Sequence, residues 1–263
     1  MIAGFDHVVI AVRDLAAGVA AYETLLGRAA RPSVQSDGVA RAVIATSNLA
    51  VELMAPVGEG EGGRRLRAAL DDGGEGLKSL VFAVASIDQA HRRLERVGLA
   101  PQPIETRESW RSCRADTTRT FGVRLFFIER AAPLAYAPAG DANVSGLDHI
   151  VIRTADPERA AALYGARLGL DMRLDRELMG RRLMFFRCGD AIVEVVLDET
   201  LSADRLWGLS WRVADADATR ARLAAAGLNV SEVRAGMKPG TRVFTVRDGT
   251  CGAPTLMVEQ GRA

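Results

Sequence analysis

The chain has 263 residues, 48% of them apolar and 25% charged, and a net charge of +1. That composition fits a globular protein with room for two modest domains, and the near-zero charge removes the electrostatic case for nucleic-acid or membrane partners. No apolar run reaches transmembrane length, no signal peptide is visible, and Cys113, Cys188 and Cys251 form neither a disulfide framework nor a C-x-x-C pair, so a cytoplasmic location is expected.

From the N-terminus, Gly4-Phe5-Asp6-His7 leads into the apolar run Val8–Val12. Asp14 is a helix N-cap, Leu15, Val19, Tyr22 and Leu26 share one helix face, and Gly27 ends the helix. Strands are expected at Ala40–Thr46 and Ala50–Met54, and a short Arg-rich helix at Arg64–Leu70. A second copy starts at Gly76-Leu77-Lys78-Ser79, with a capping box at Ser86 and Gln89, a stop at Gly98 and a strand at Arg124–Glu129. The segment from Pro133 to Ser145 is rich in Pro, Ala and Gly and reads as a linker. Gly146-Leu147-Asp148-His149 then repeats the opening motif, with Asp156 as cap, Pro157 at the first helical position and Gly169 as stop. Strands follow at Leu183–Cys188 and Ile192–Leu197. A fourth copy starts at Leu206-Trp207-Gly208-Leu209, with Asp215 as cap, Gly227 as stop and strands at Arg242–Val246 and Thr255–Glu259.

The chain therefore reads as βαβββ four times over, an internal repeat that divides it into 1–132, a linker 133–145, and 146–263. In the opening strands His7, Ser79, His149 and Gly208 are equivalent, and Val8, Leu80, Ile150 and Leu209 point toward the helices. Trp207 and Trp211 are expected in the core. Glu52 and Glu194 follow their histidines at the same spacing, and Glu129 and Glu259 sit in the other two closing strands. A carboxylate in an apolar strand is costly unless paired, so repeated His and Glu suggest a metal ion as the partner, present or ancestral.

This pattern, carried by Asp6-His7-Val8-Val9, Asp148-His149-Ile150-Val151, Phe127-Ile128-Glu129 and Met257-Val258-Glu259, resembles the vicinal oxygen chelate superfamily. That superfamily includes glyoxalase I, methylmalonyl-CoA epimerase, bleomycin resistance proteins and extradiol dioxygenases. The resemblance implies an α+β fold in which modules pair into two cup-shaped incomplete β-barrels with helices outside. It places a divalent metal (Mn, Fe, Co, Ni, Zn or Mg) on His7, Glu52 and Glu129 in one half and on His149, Glu194 and Glu259 in the other. Ser79 and Gly208 depart from it, since a second His, Gln or Glu is common there. Pairing of modules across the halves would leave the ligand types unchanged.

The expected function is a glyoxalase-like, metal-dependent lyase or isomerase acting on a small oxygen-rich dicarbonyl or carboxylate. In it the metal would stabilise an enolate and Glu194 or Glu259 would move the proton. A metal-free binding protein of the bleomycin-resistance kind is the alternative. An extradiol dioxygenase comes third, because the missing second His argues against two-His iron chemistry. The second half is the more polar. Arg153, Ser210 and Arg212 are expected to face substrate there, with Arg242 in a loop over it; the competing expectation pairs Arg153 and Arg212 with rim residues such as Asp156 or Asp215. A homodimer is permitted.

Overall fold

The computed structural model describes residues 2–178 and 180–261. Module one comprises β1 (Ile2–Ala11), α1 (Leu15–Leu26), β2 (Val34–Ser36), β3 (Val39–Ala45) and β4 (Ala50–Pro56). Helix α2 (Glu61–Gly73) bridges to module two, which comprises β5 (Gly76–Val84), α3 (Ile87–Arg96), β6 (Glu105–Thr106), β7 (Trp110–Arg114) and β8 (Leu125–Arg130). Module three has β9 (Val144–Thr154), α4 (Pro157–Ala161), β10 (Asp171–Leu178), β11 (Arg181–Cys188) and β12 (Ala191–Leu197). Module four has β13 (Arg205–Val213), α5 (Ala216–Ala225), β14 (Arg234–Ala235), β15 (Arg242–Val246) and β16 (Thr255–Glu259). The fold is α+β, as expected: four βαβββ modules in two eight-stranded mixed sheets, ordered β2-β3-β4-β1-β5-β8-β7-β6 and β10-β11-β12-β9-β13-β16-β15-β14. Among the described residues no helix is long and apolar enough to cross a membrane.

The helix starts follow from local chemistry. The side chains of Asp14, Asp156 and Asp215 each accept the amide of the residue three further on, at 2.9 Å, and Ser86 does the same for Gln89 at 3.4 Å. Gly27 ends α1 in the left-handed conformation, at φ 65°, which a side chain would strain. Helix α4 differs from the single helix expected after Asp156. It passes into a π-helical turn at Ala162–Arg167, which packs Leu163 and the ring of Tyr164 into the core. The sequence reading expected three strands after each helix but set no bounds for five short or exposed ones, namely β2, β6, β7, β10 and β14. Their residues show little apolar alternation, and pairing to a neighbouring strand, rather than pattern, holds them extended.

The densest packing divides the chain into two units that interleave along the sequence. One unit runs up to His7 and takes in Lys78–Leu134 and His149–Trp207; the other takes in Val8–Leu77, Ala135–Asp148 and the chain from Gly208 on. In the first unit Phe82 stacks between Phe5 and Phe127, with ring centroids 5.7 and 5.6 Å away. Arg167 donates to the carbonyls of Val97 (2.8 Å) and Gly98 (3.0 Å) just past the end of α3. In the second unit Arg222 does the same for α1, donating to Leu25 O at 3.0 Å. A guanidinium there satisfies carbonyls that the helix leaves open and complements its dipole. Also in that unit, the first residue of β9 is held by Arg28, which donates to Val144 O at 2.7 Å. Trp211 is fully buried, as expected. Trp207 is not: it is 37% exposed, and the guanidinium of Arg153 lies 4.0 Å from its ring centroid.

The stacked ring of Phe82 predicts a large core penalty. Phe82→Ala should lower unfolding free energy by about 3–5 kcal/mol in urea titrations, and Phe82→Leu by clearly less.

Candidate functional site

The residues after the equivalent opening positions, Val8, Leu80, Ile150 and Leu209, are all buried against the helices. The registers then decide what lies on the open face. In module three β9 and β12 run parallel, pairing Ile192 with His149, Glu194 with Val151 and Val196 with Arg153. Strand β11 adds Arg187, Phe185 and Leu183 to these rows. Paired residues share a face, so His149, Glu194 and Arg153 lie together among Val151, Ile192, Val196, Phe185 and Leu183. The opposite face, with Ile150, Ile152, Val193 and Val195, is completely buried. His149 Nε2 stands 3.1 Å from Glu194 Oε2, and Glu194 is only 8% exposed. The imidazole thus supplies a polar partner that offsets the burial of this carboxylate.

Modules two and four are built differently. Strand β16 pairs Thr255 with Leu209, Leu256 with Ser210 and Glu259 with Val213. Glu259 therefore points to the helix side with Val213, where its Oε2 accepts Ala216 N at the start of α5 (2.8 Å) and lies 3.3 Å from Arg242 Nη1. Glu129 repeats this: its Oε2 accepts Ile87 N at the start of α3 (2.8 Å) and lies 3.9 Å from Arg111. The sequence reading placed both glutamates beside the histidines. The structure places them on the opposite face, at helix N-termini, where open amides and the helix dipole favour a carboxylate. The residues in the row of Glu194 are Leu256 in module four and Phe126 in module two, paired with Ser210 and Val81.

The other expected site residues fall as follows. His7 Nδ1 lies 2.5 Å from Asp6 Oδ1, and Arg130 grips the same carboxylate with two donors at 2.7 Å. Glu52 lies 3.9 Å from Arg41. Arg153 Nη1 donates to Asp198 at 3.1 Å, and Arg212 Nε to Asp148 at 3.4 Å. Both arginines are thus ion-paired, to aspartates other than the Asp156 and Asp215 considered from sequence, which cap helices instead. Arg242 bonds Asp217 (2.7 Å) beside Glu259 on the helix side. Ser210 is buried. At Gly208 a Cβ would come within 2.8 Å of the Pro254 carbonyl oxygen, so close backbone packing explains the glycine. Arg114 was missed; the registers of β7 and β8 put it beside Phe126 on the open face of module two. It lies in a polar segment where no strand could be bounded from the residues alone.

A divalent ion held by protein needs about three donors on one face. His149 and Glu194 are two. The third donor expected from sequence, Glu259, is bonded to a helix amide on the other face, and Gly208 has no side chain to replace it. Among the described residues no three His, Cys, Asp or Glu side chains come together in a group that could hold a metal ion. The donor set does not fit the metal that the fold family implies.

The comparisons with known proteins agree with this architecture. The family model described as "Glyoxalase-like domain" matches residues 5–169, and that of the "Glyoxalase/Bleomycin resistance protein/Dioxygenase superfamily" matches residues 146–252. No curated protein matches the chain. Among solved structures, a triple mutant of 4-hydroxymandelate synthase from Streptomyces coelicolor is similar at TM-score 0.77 and 12% identity, over 100% of this chain and 95% of that one. The Mn(II)-bound glyoxalase from Novosphingobium aromaticivorans gives TM-score 0.73 and 14% identity, over 99% and 83%. A catechol 2,3-dioxygenase gives 0.70 and 14%, over 99% and 89%. At these identities the likeness is one of fold.

Two predictions follow from the geometry. Burial alone would raise the Asp6 carboxyl, but hydrogen bonds and charge from His7 and Arg130 outweigh it and hold the group below the usual range. Its folded form therefore binds protons more weakly than its unfolded form. The stability this gives is present above the ordinary carboxyl value of about 3.9 and is lost as pH falls through the lower folded value. Asp6→Asn should cost roughly 1–3 kcal/mol at neutral pH, with the gap from wild type closing in acid unfolding curves. Glu259→Ala should cost about 1 kcal/mol in urea titrations, as loss of a helix cap does; an unchanged unfolding free energy would contradict its structural role.

Proposed function

The chain belongs to the glyoxalase-like domain family of the vicinal oxygen chelate superfamily, and on that premise we propose that it binds a small oxygen-bearing organic molecule on the open face of module three. The binding needs no protein-held divalent ion. The observation that carries this reading is the His149–Glu194 contact at 3.1 Å on a half-open apolar face. An apolar surface with one polar pair and few other polar groups is the usual make-up of a small-molecule site. Val151, Val196, Phe185 and Leu183 would cover the ligand's apolar body, and the His–Glu pair would meet its oxygen. Of the activities expected from sequence, this favours the metal-free binding protein of the bleomycin-resistance kind over the metal-dependent lyase, whose chemistry asks for a third donor.

A proton-transfer activity is the second reading, and the same contact favours it. The contact holds the imidazole and the carboxylate together on that face, where either could take a proton from a carbon next to a carbonyl or from a hydroxyl. Exchange of an α-proton for solvent deuterium in a bound carbonyl compound, abolished by Glu194→Gln, would separate turnover from storage.

The main reading is tested by metal analysis of protein purified without chelator, together with melting curves in Mn, Zn and EDTA. We expect substoichiometric metal and no change in Tm with any of the three. A stoichiometric divalent ion that disappears in His149→Ala or Glu194→Gln would overturn it.

A further inference from the structure

The open face of module two carries a second feature, built by inverting the polarity of module three. In module three the middle row reads Val151, Glu194, Phe185; in module two the equivalent row reads Val81, Phe126, Arg114. A carboxylate flanked by a ring has become a ring flanked by a guanidinium. Arg114 is half-buried, its Nε is fully buried, and that N–H meets no hydrogen-bond acceptor among the described residues. Among the described residues no carboxylate pairs with it. Its guanidinium carbon lies 5.9 Å from the centroid of Phe126. Other arginines of the same unit are matched: Arg111 to Asp88 at 2.8 Å, Arg130 to Asp6 at 2.7 Å and Arg153 to Asp198 at 3.1 Å.

A guanidinium stays charged at any physiological pH, and a buried N–H without an acceptor is costly. The ring of Phe126 offers it a face but no lone pair. A planar anion with two acceptor oxygens matches the two terminal nitrogens of a guanidinium, whose Nε here is enclosed behind them. Val81 and Ile128 on this face are already buried, and the half-buried ring of Phe126 is the surface left for a flat apolar body next to that anion. We propose that Arg114, with Phe126, forms a separate binding site on module two for a small carboxylate with a flat apolar body. This goes beyond the module-three reading and does not depend on it.

The test is isothermal titration of the full chain with benzoate, with its neutral isostere benzamide, and with inorganic phosphate. Benzoate should bind in the millimolar range or tighter, and more tightly than either of the others. Arg114→Met keeps the stem over Phe126 and should weaken benzoate about ten-fold or more while leaving benzamide unchanged; Arg114→Lys, which keeps the charge without the fork, should fall between. His149→Ala should leave benzoate binding intact, so failure of the module-three reading would be seen separately. Equal affinity for benzoate and benzamide, or an unchanged benzoate affinity in a folded Arg114→Met protein, would overturn the site. Phosphate binding as tightly as benzoate would overturn the part assigned to Phe126. If Arg114→Met does not fold, Arg114→Lys decides: an unchanged benzoate affinity in that protein would equally overturn the site.

Discussion

Side chains alternate across a β-strand, and a shift of one residue in register moves a group from the open face to the helix. That constraint sorts every candidate residue in this chain. Glu194 pairs with Val151, two residues past His149, and lands on the histidine's face. Glu259 pairs with Val213, five residues past Gly208, and lands at the start of α5. An even offset gives a possible site residue and an odd offset gives a helix cap. Two glutamates that look alike in sequence thereby have unlike roles.

The same constraint accounts for the electrostatics. Glu129 and Glu259 face helix amides, Asp6 is gripped by Arg130, and Asp148 receives Arg212. Most charged groups near the strands are thus consumed by structure. What the open faces keep is sparse: a His–Glu pair on module three and the unmatched guanidinium of Arg114 on module two. A fold that elsewhere is known with bound Mn(II) here presents a donor set too small to hold an ion by itself. The module-three face sets the His–Glu pair and the ion-paired Arg153 among Val151, Val196, Phe185 and Leu183, which favours recognition of an organic body over coordination of an ion.

Much of the fold was legible in the sequence. Duplication of the His motif, the caps Asp14, Ser86, Asp156 and Asp215, and the apolar opening and closing strands fixed the α+β class and the four modules, because capping and periodicity act over a few residues. The short strands β2, β6 and β14 were expected in number but could not be bounded from their residues, and neither could β7. Arg114 was lost with it.

The sequence by itself determined the modules, their order and the identity of the His149–Glu194 pair, since equal spacing in duplicated units puts equal residues in equal places. Only the tertiary structure decided which way Glu129 and Glu259 point, that Arg153 is spent on Asp198 and Trp207, and that Arg114 shares a face with Phe126. The reason is that the register between strands distant in the chain depends on loop length and pairing, and neither is written in the local pattern of either strand.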